Sequence, residues 1–224
     1  MRIYKNSVTA PILPLLQRLM EAEPFAQFRV EGDTALALQL GHRRAGDIHL
    51  SRVGNESDLE AAESYLNENF AHVERVATAT YFIGDDPKSA IKLTLTLSEG
   101  EFSELTTQIE GIRVSTIEEL AAVKIEQIAR GGSKSDFYDL HALIERFTLS
   151  DLISLHEERY PSTHNRERLL EKLNNFTKAD LTFDPISQRN ISWEEIKIDI
   201  HEAVKEAVEE EVIDSILSNL SLDI

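Results

Sequence analysis

EGDTALALQLGHRRAGDIHL, residues 31–50, is the stretch whose reading decides the fold. Just before it, Phe28 and Val30 alternate as a short strand that ends at Glu31-Gly32. Thr34–Leu40 then reads as a compact apolar helix, stopped by Gly41. Ile48 and Leu50 mark a second strand whose opposite face carries Asp47 and His49. A carboxylate and an imidazole two residues apart on one strand face raise a definite question. They are either a metal site with one ligand exchanged or a former site that no longer binds.

Working outward, Ile12, Leu15, Leu16, Leu19 and Met20 recur at helical spacing, and Pro24 closes that segment. Ser57 with Glu60 reads as the capping box of an amphipathic helix through Leu66 and Phe70. Val73–Ile83 and Ala90–Leu97 read as two antiparallel strands around the turn Gly84-Asp85-Asp86-Pro87, and Ile112–Val114 as one more short strand. Beyond Ser115 the period becomes helical. Successive helices are expected around Ile117–Ile128, Phe137–Phe147, Leu149–Tyr160 and Asn165–Leu173. A last one carries Ile196, Ile200, Val204, Val208, Val212, Ile216 and Leu220, a stripe most simply read as core packing. The expectation is an α+β fold, a mixed or antiparallel sheet with flanking helices over residues 1–115, followed by a helical region over 116–224.

Composition narrows the functional classes. In 224 residues there is no cysteine, which excludes thiolate metal sites, disulfides and cysteine nucleophiles. No apolar run is long enough for a bilayer and the N-terminus lacks a secretory pattern, so a soluble cytoplasmic protein is expected. The formal net charge is −17. From Trp193 onward ten acids face only Lys197 and Lys205. Such a surface repels nucleic-acid phosphate and disfavours DNA binding, while the acidic last helix would suit a basic protein partner. The basic residues His42, Arg43, Arg44 and Arg52 are the place best suited to an anionic ligand, or they simply solvate a loop. His72, His141, His156, His164 and His201 show no ligand spacing.

Taken with a second motif, the opening stretch resembles the AbiEii/AbiGii toxin-like nucleotidyltransferases, of the polymerase-beta-like nucleotidyltransferase fold. That family's pattern reads roughly V-G-G-T-A-L-A-L-x-x-G-H-R-x-S-x-D-[LIF]-D. Gly32, Thr34, Ala35, Leu36, Ala37, Leu38, Gly41, His42, Arg43 and Asp47 fall on it. Further on, IEELAAVKIEQIARGGSKSDFYDL is similar to the family's alanine-lysine helix and K-D-x-x-D-L helix, matching at Lys124, Asp136, Asp139 and Leu140. The resemblance spans roughly residues 25–145 and is carried by two separated, correctly ordered motifs. It implies Mg²⁺ and an NTP as cofactor and substrate, and an antitoxin-like partner of the kind found in abortive infection. It also implies a nucleotide turn at Gly32, Asp33, Thr34 and Arg43, metal ligands at Asp47 and position 49, and catalytic parts for Asp47, Lys124 and Asp136. In such a centre, carboxylates on adjacent strands hold two metals that activate the attacking oxygen and stabilise the leaving pyrophosphate.

This chain departs from that pattern where the chemistry is done. Asp33 stands for the second glycine, where a like-charge contact with phosphate costs on the order of 4 kcal/mol at an effective dielectric of 20. His49 stands for the second metal-binding aspartate, and Thr94, in IKLTLTL, occupies the place of the third carboxylate. Neutral imidazole and hydroxyl are poor ligands for a hard Mg²⁺ ion. Ser135 replaces the basic residue before Asp136, with Lys134 one position early and about 100° round the helix. The bland readings make Asp33 a helix cap, Lys124 a surface charge, and Asp136 and Asp139 braces of their helix that pair with Arg130. Two functions follow. One is a catalytically degenerate nucleotidyltransferase-fold module that binds or regulates and does not hold Mg²⁺ or NTP tightly. The alternative is an active enzyme moving NMP from an NTP to an RNA or protein acceptor, with an altered ligand set at Asp47 and His49.

Overall fold

Ile48 and Leu50 are buried along β2 (Asp47–Val53), with Asp47 and His49 at the alternate positions. The same period of two runs through β5 (Ile91–Ser98), where Leu93 and Leu95 are buried. That rhythm builds a strand with one packed face. The computed structural model describes residues 3–98 and 107–221, with side chains given no further than Ile213 in the last helix. The remaining strands are β1 (Arg29–Glu31), β3 (His72–Ala77), β4 (Thr80–Gly84), β6 (Thr107–Ile109) and β7 (Ile112–Val114). Together they form one seven-stranded sheet in the order β3-β4-β5-β2-β1-β7-β6, with β2 at its centre. The sheet is mixed: β2 runs parallel to β5 and antiparallel to β1, and β1 runs parallel to β7. Two compact units divide the chain, Met1–Leu120 and Ala121–Ile224.

In the first unit α1 is Ile12–Glu21, α2 is Gly32–Leu40 and α3 is Glu56–Asn69. Every residue of α2 from Thr34 to Leu40 is buried, as expected of a helix apolar on all sides. It ends at Gly41, whose φ of 65° is the left-handed conformation that glycine takes without steric cost. The ring of Tyr4 lies where a side chain at position 41 would go, so glycine is required there twice over. Arg113 on β7 joins the strand to the segment preceding β1. Its guanidinium donates to the carbonyls of Phe28 (2.9 Å), Phe25 (2.8 Å) and Met20 (3.2 Å).

Three local expectations need correction. Residues 73–83 are not one strand but the hairpin β3–β4, which turns at Ala79 with φ of 48°. The cap of α3 is Asn55 rather than Ser57: Asn55 Oδ1 accepts the Ser57 N–H at 3.0 Å, and Asp58 accepts the Asn55 N–H at 2.8 Å. Asparagine is an equally strong cap, and the Asp58 carboxylate completes its box. Before β7 the chain adds β6, folded back on it through Glu110 and Gly111.

The second unit is helical: it begins within α4 (Ile117–Ala129) and continues with α5 (Lys134–Ile144), α6 (Leu149–Arg159), α7 (Arg166–Leu173) and α8 (Trp193–Ser221). Phe137, Phe176 and Trp193 pack as an aromatic cluster, with Phe137 and Phe176 centroids 4.9 Å apart. Ile196, Ile200 and Val204 of α8 are buried, but Val208 and Val212 are exposed, so the stripe is core only in its first half. The reason is geometric. Residues four apart advance about 40° beyond a full turn, so a strict four-residue stripe winds off the packed face within three steps. Ile216 and Leu220 fall among the undescribed side chains, and Asp223 lies outside the described residues. Among the described residues no helix is long and apolar enough to cross a membrane.

Candidate functional site

The turn from β1 into α2 is built on Gly32, whose φ of 64° again favours glycine. Glu31 precedes it in extended conformation as the residue flanking the helix. Asp33 therefore lies inside the first turn and is not the cap. Its carboxylate instead meets the Arg43 guanidinium at 2.8 Å, at the helix end where the backbone dipole favours negative charge. The charge that was expected to repel phosphate is thus balanced from within the same motif. Thr34 is buried, and its hydroxyl donates to the backbone carbonyl of Asp47, tying α2 to β2. Of the residues placed at the nucleotide turn, Asp33, Thr34 and Arg43 all bond to neighbouring parts of this motif.

Across the sheet, Glu31 on β1, His49 on β2 and Thr94 on β5 lie in one row of register partners. The His49 ring shares a 2.6 Å hydrogen bond through Nε2 with Thr96 Oγ1. Burial pushes the imidazole below its ordinary value. Glu31, Asp47 and Asp33 pull it upward and Lys92 downward, and burial prevails, so His49 is neutral at neutral pH. The residues at the expected metal position are then one carboxylate (Asp47), one neutral imidazole already bonded to a hydroxyl, and Thr94. Mg²⁺ demands a near-octahedral shell of oxygen ligands and dehydrates reluctantly. The donor set does not fit it.

The basic stretch is largely engaged within the fold. His42 and Arg43 are buried. Arg52 stacks over Phe28 with 5.6 Å between guanidinium carbon and ring centroid and pairs with Asp58 at 3.2 Å. Arg44 is the exposed member of the four.

In the second unit, the Lys124 side chain is 1% exposed, so it is no surface charge. Its ammonium lies 2.7 Å from Asp136 Oδ1 and 2.9 Å from Asp139 Oδ2. Arg130, the partner expected for these aspartates, pairs instead with Glu126 four residues earlier. Asp136 also accepts both the backbone N–H and the hydroxyl of Ser133, which fixes the start of α5. Burial raises the Asp136 carboxyl, but the Lys124 ammonium and the Ser133 hydrogen bonds together hold it below the ordinary carboxylate value. A depressed folded-state pKa stabilises the fold above the unfolded value, and the benefit disappears as pH falls through the folded value. In denaturant titrations, stability is therefore expected to fall on acidification below the ordinary Asp range. Asp136→Asn should be less stable at neutral pH and flatter across that window.

The sequence reading missed Thr96 and Glu31. The signal for Thr96 was present, since IKLTLTL places Thr94 and Thr96 on one strand face. No local pattern marked Glu31, because its place opposite His49 depends on the antiparallel register of β1 with β2. Arg29 was missed as well. It is buried on β1 and meets Glu31 at 3.2 Å and Glu119 at 2.5 Å.

The mixed sheet with this glycine turn and central strand is similar to those of solved nucleotidyltransferase structures. The chain superposes on the Helicobacter pylori protein JHP933 with a TM-score of 0.58 and 19% identity, covering 96% of this chain and 100% of that one. It superposes on MenT4, a nucleotidyltransferase toxin of Mycobacterium tuberculosis H37Rv, with a TM-score of 0.52 and 14% identity, covering 85% of this chain and 83% of that one. At these identities the likeness is one of fold. No curated protein matches the chain by sequence. The sequence model of the nucleotidyl transferase AbiEii toxins, of type IV toxin–antitoxin systems, matches residues 14–219, and the chain belongs to that family.

Proposed function

We propose that the chain keeps the nucleotidyltransferase scaffold, has lost the metal-dependent centre, and serves in the cytoplasm as a binding or regulatory member of a toxin–antitoxin pair. One observation carries this reading: His49, hydrogen-bonded to Thr96, lies in register with Thr94 at the two positions where the family pattern has carboxylates. The intact Lys124–Asp136–Asp139 group favours the other reading, an enzyme that still moves NMP from an NTP to an RNA or protein acceptor.

Thermal unfolding with each of the four NTPs, in Mg²⁺ or Mn²⁺, separates the two. A ligand at a hundred times its Kd stabilises the native state by about 2.7 kcal/mol. The unaltered chain is expected to show no shift, and the combined Asp33→Gly, His49→Asp and Thr94→Asp variant to show one. Mg²⁺-dependent transfer of labelled NMP by the unaltered chain would overturn the proposal.

A further inference from the structure

Between α7 and α8 the chain presents three large apolar side chains to solvent: Leu181 is 87% exposed, Phe183 97% and Ile186 63%. Single exposed apolar residues are ordinary, but three within six residues of one segment are not. The polar residues interleaved with them hold the segment in place. Thr182 Oγ1 accepts the Lys134 N–H at 2.9 Å, and Asp184 pairs with Lys134 Nζ at 2.8 Å. Beyond Ile186, Arg189 is paired with Glu145. The segment is therefore pre-organised, which lowers the ordering cost of binding.

In the two lysine–carboxylate pairs nearest the segment, the acid is the exposed partner. In the Lys134–Asp184 pair the lysine side chain is 13% exposed and the aspartate 70%. In the Lys197–Glu194 pair the figures are 23% and 75%. Each cation is turned inward and each carboxylate outward, and Asp180, beside Lys197, adds a third acid. Opposite-signed rims favour encounter, and like-signed rims oppose it. A second copy of this acidic chain and an anionic lipid surface are both disfavoured on that ground.

We propose that Leu181, Phe183 and Ile186 form a docking prong for a basic amphipathic helix of a partner protein, whose apolar face receives the prong and whose lysines or arginines meet the acidic rim. The proposal rests on the reading of the chain as a binding module, but its test involves no nucleotide, so the two fail separately.

The probes are a fluorescent Leu/Lys amphipathic helix and its Leu/Glu counterpart, titrated with the full chain by anisotropy. The Leu/Lys helix is expected to bind, more weakly as salt rises, and to lose at least about tenfold in affinity when all three residues are changed to serine. Asp184→Asn with Glu194→Gln should flatten the salt dependence. These positions are exposed, so the serine variant should keep its melting temperature, which confirms that it folds. Any of four results would overturn the proposal: no binding of the Leu/Lys helix, equal binding by the Leu/Glu helix, binding indifferent to the serine changes, or self-association in sedimentation that those changes abolish.

Discussion

Lys124→Met is expected to cost about 3–5 kcal/mol of folding stability, because removing one partner of a buried ion pair leaves a buried charge behind. Here it leaves two, since the ammonium bridges Asp136 and Asp139, and the Asp139 side chain is fully buried. Urea denaturation at neutral pH measures the loss. Adding Asp136→Asn and Asp139→Asn to Lys124→Met should recover much of it, because the penalty comes from uncompensated charge and not from lost volume. The result also bears on function. If Lys124 served only a bound phosphate, the methionine variant would unfold at nearly the same urea concentration as the parent.

Arg29→Met is expected to have an effect of similar size, about 3–5 kcal/mol, for the same reason in the first unit. The Arg29 side chain is 3% exposed and lies between Glu31 and Glu119, whose carboxylates are themselves shielded. Glu31 also accepts the Ser115 hydroxyl at 3.3 Å, so Arg29, Glu31, Glu119 and Ser115 form one polar cluster beside the row that contains His49. Guanidinium denaturation of Arg29→Met, alone and with Glu31→Gln and Glu119→Gln, checks both the loss and its repair. An unchanged midpoint in the single variant would mean that water reaches the cluster and that its charges are already solvated.

The order of elements around residues 31–50 was legible because each boundary carries its own chemistry: Gly41 ends α2, and alternation at Ile48 and Leu50 marks β2. The family was legible for a different reason, two ordered motifs well apart in the chain, at residues 31–50 and 117–140. What stayed hidden was long-range pairing. Lys124, Asp136 and Asp139 were each noted, yet sequence spacing cannot say that a helix lysine is buried between two aspartates from the next helix. Asp33 and Arg43 were likewise seen singly, and only the fold of α2 back towards the residues after Gly41 joins them. The exposed half of the α8 stripe was readable in principle, since repeated steps of four contain their own drift around the helix.

His49 and Thr94 lie side by side on parallel strands. Neighbouring strands are about 4.8 Å apart, and like charges set directly opposite one another weaken a sheet. Carboxylates at both positions would hold the centre of the sheet under mutual repulsion until a divalent cation arrived to relieve it. With imidazole and hydroxyl in their place, β2 and β5 pair at that row without any such ion. The restored triple variant is therefore expected to be the weaker fold in chelator and the one that Mg²⁺ strengthens, as thermal unfolding with and without the ion would measure.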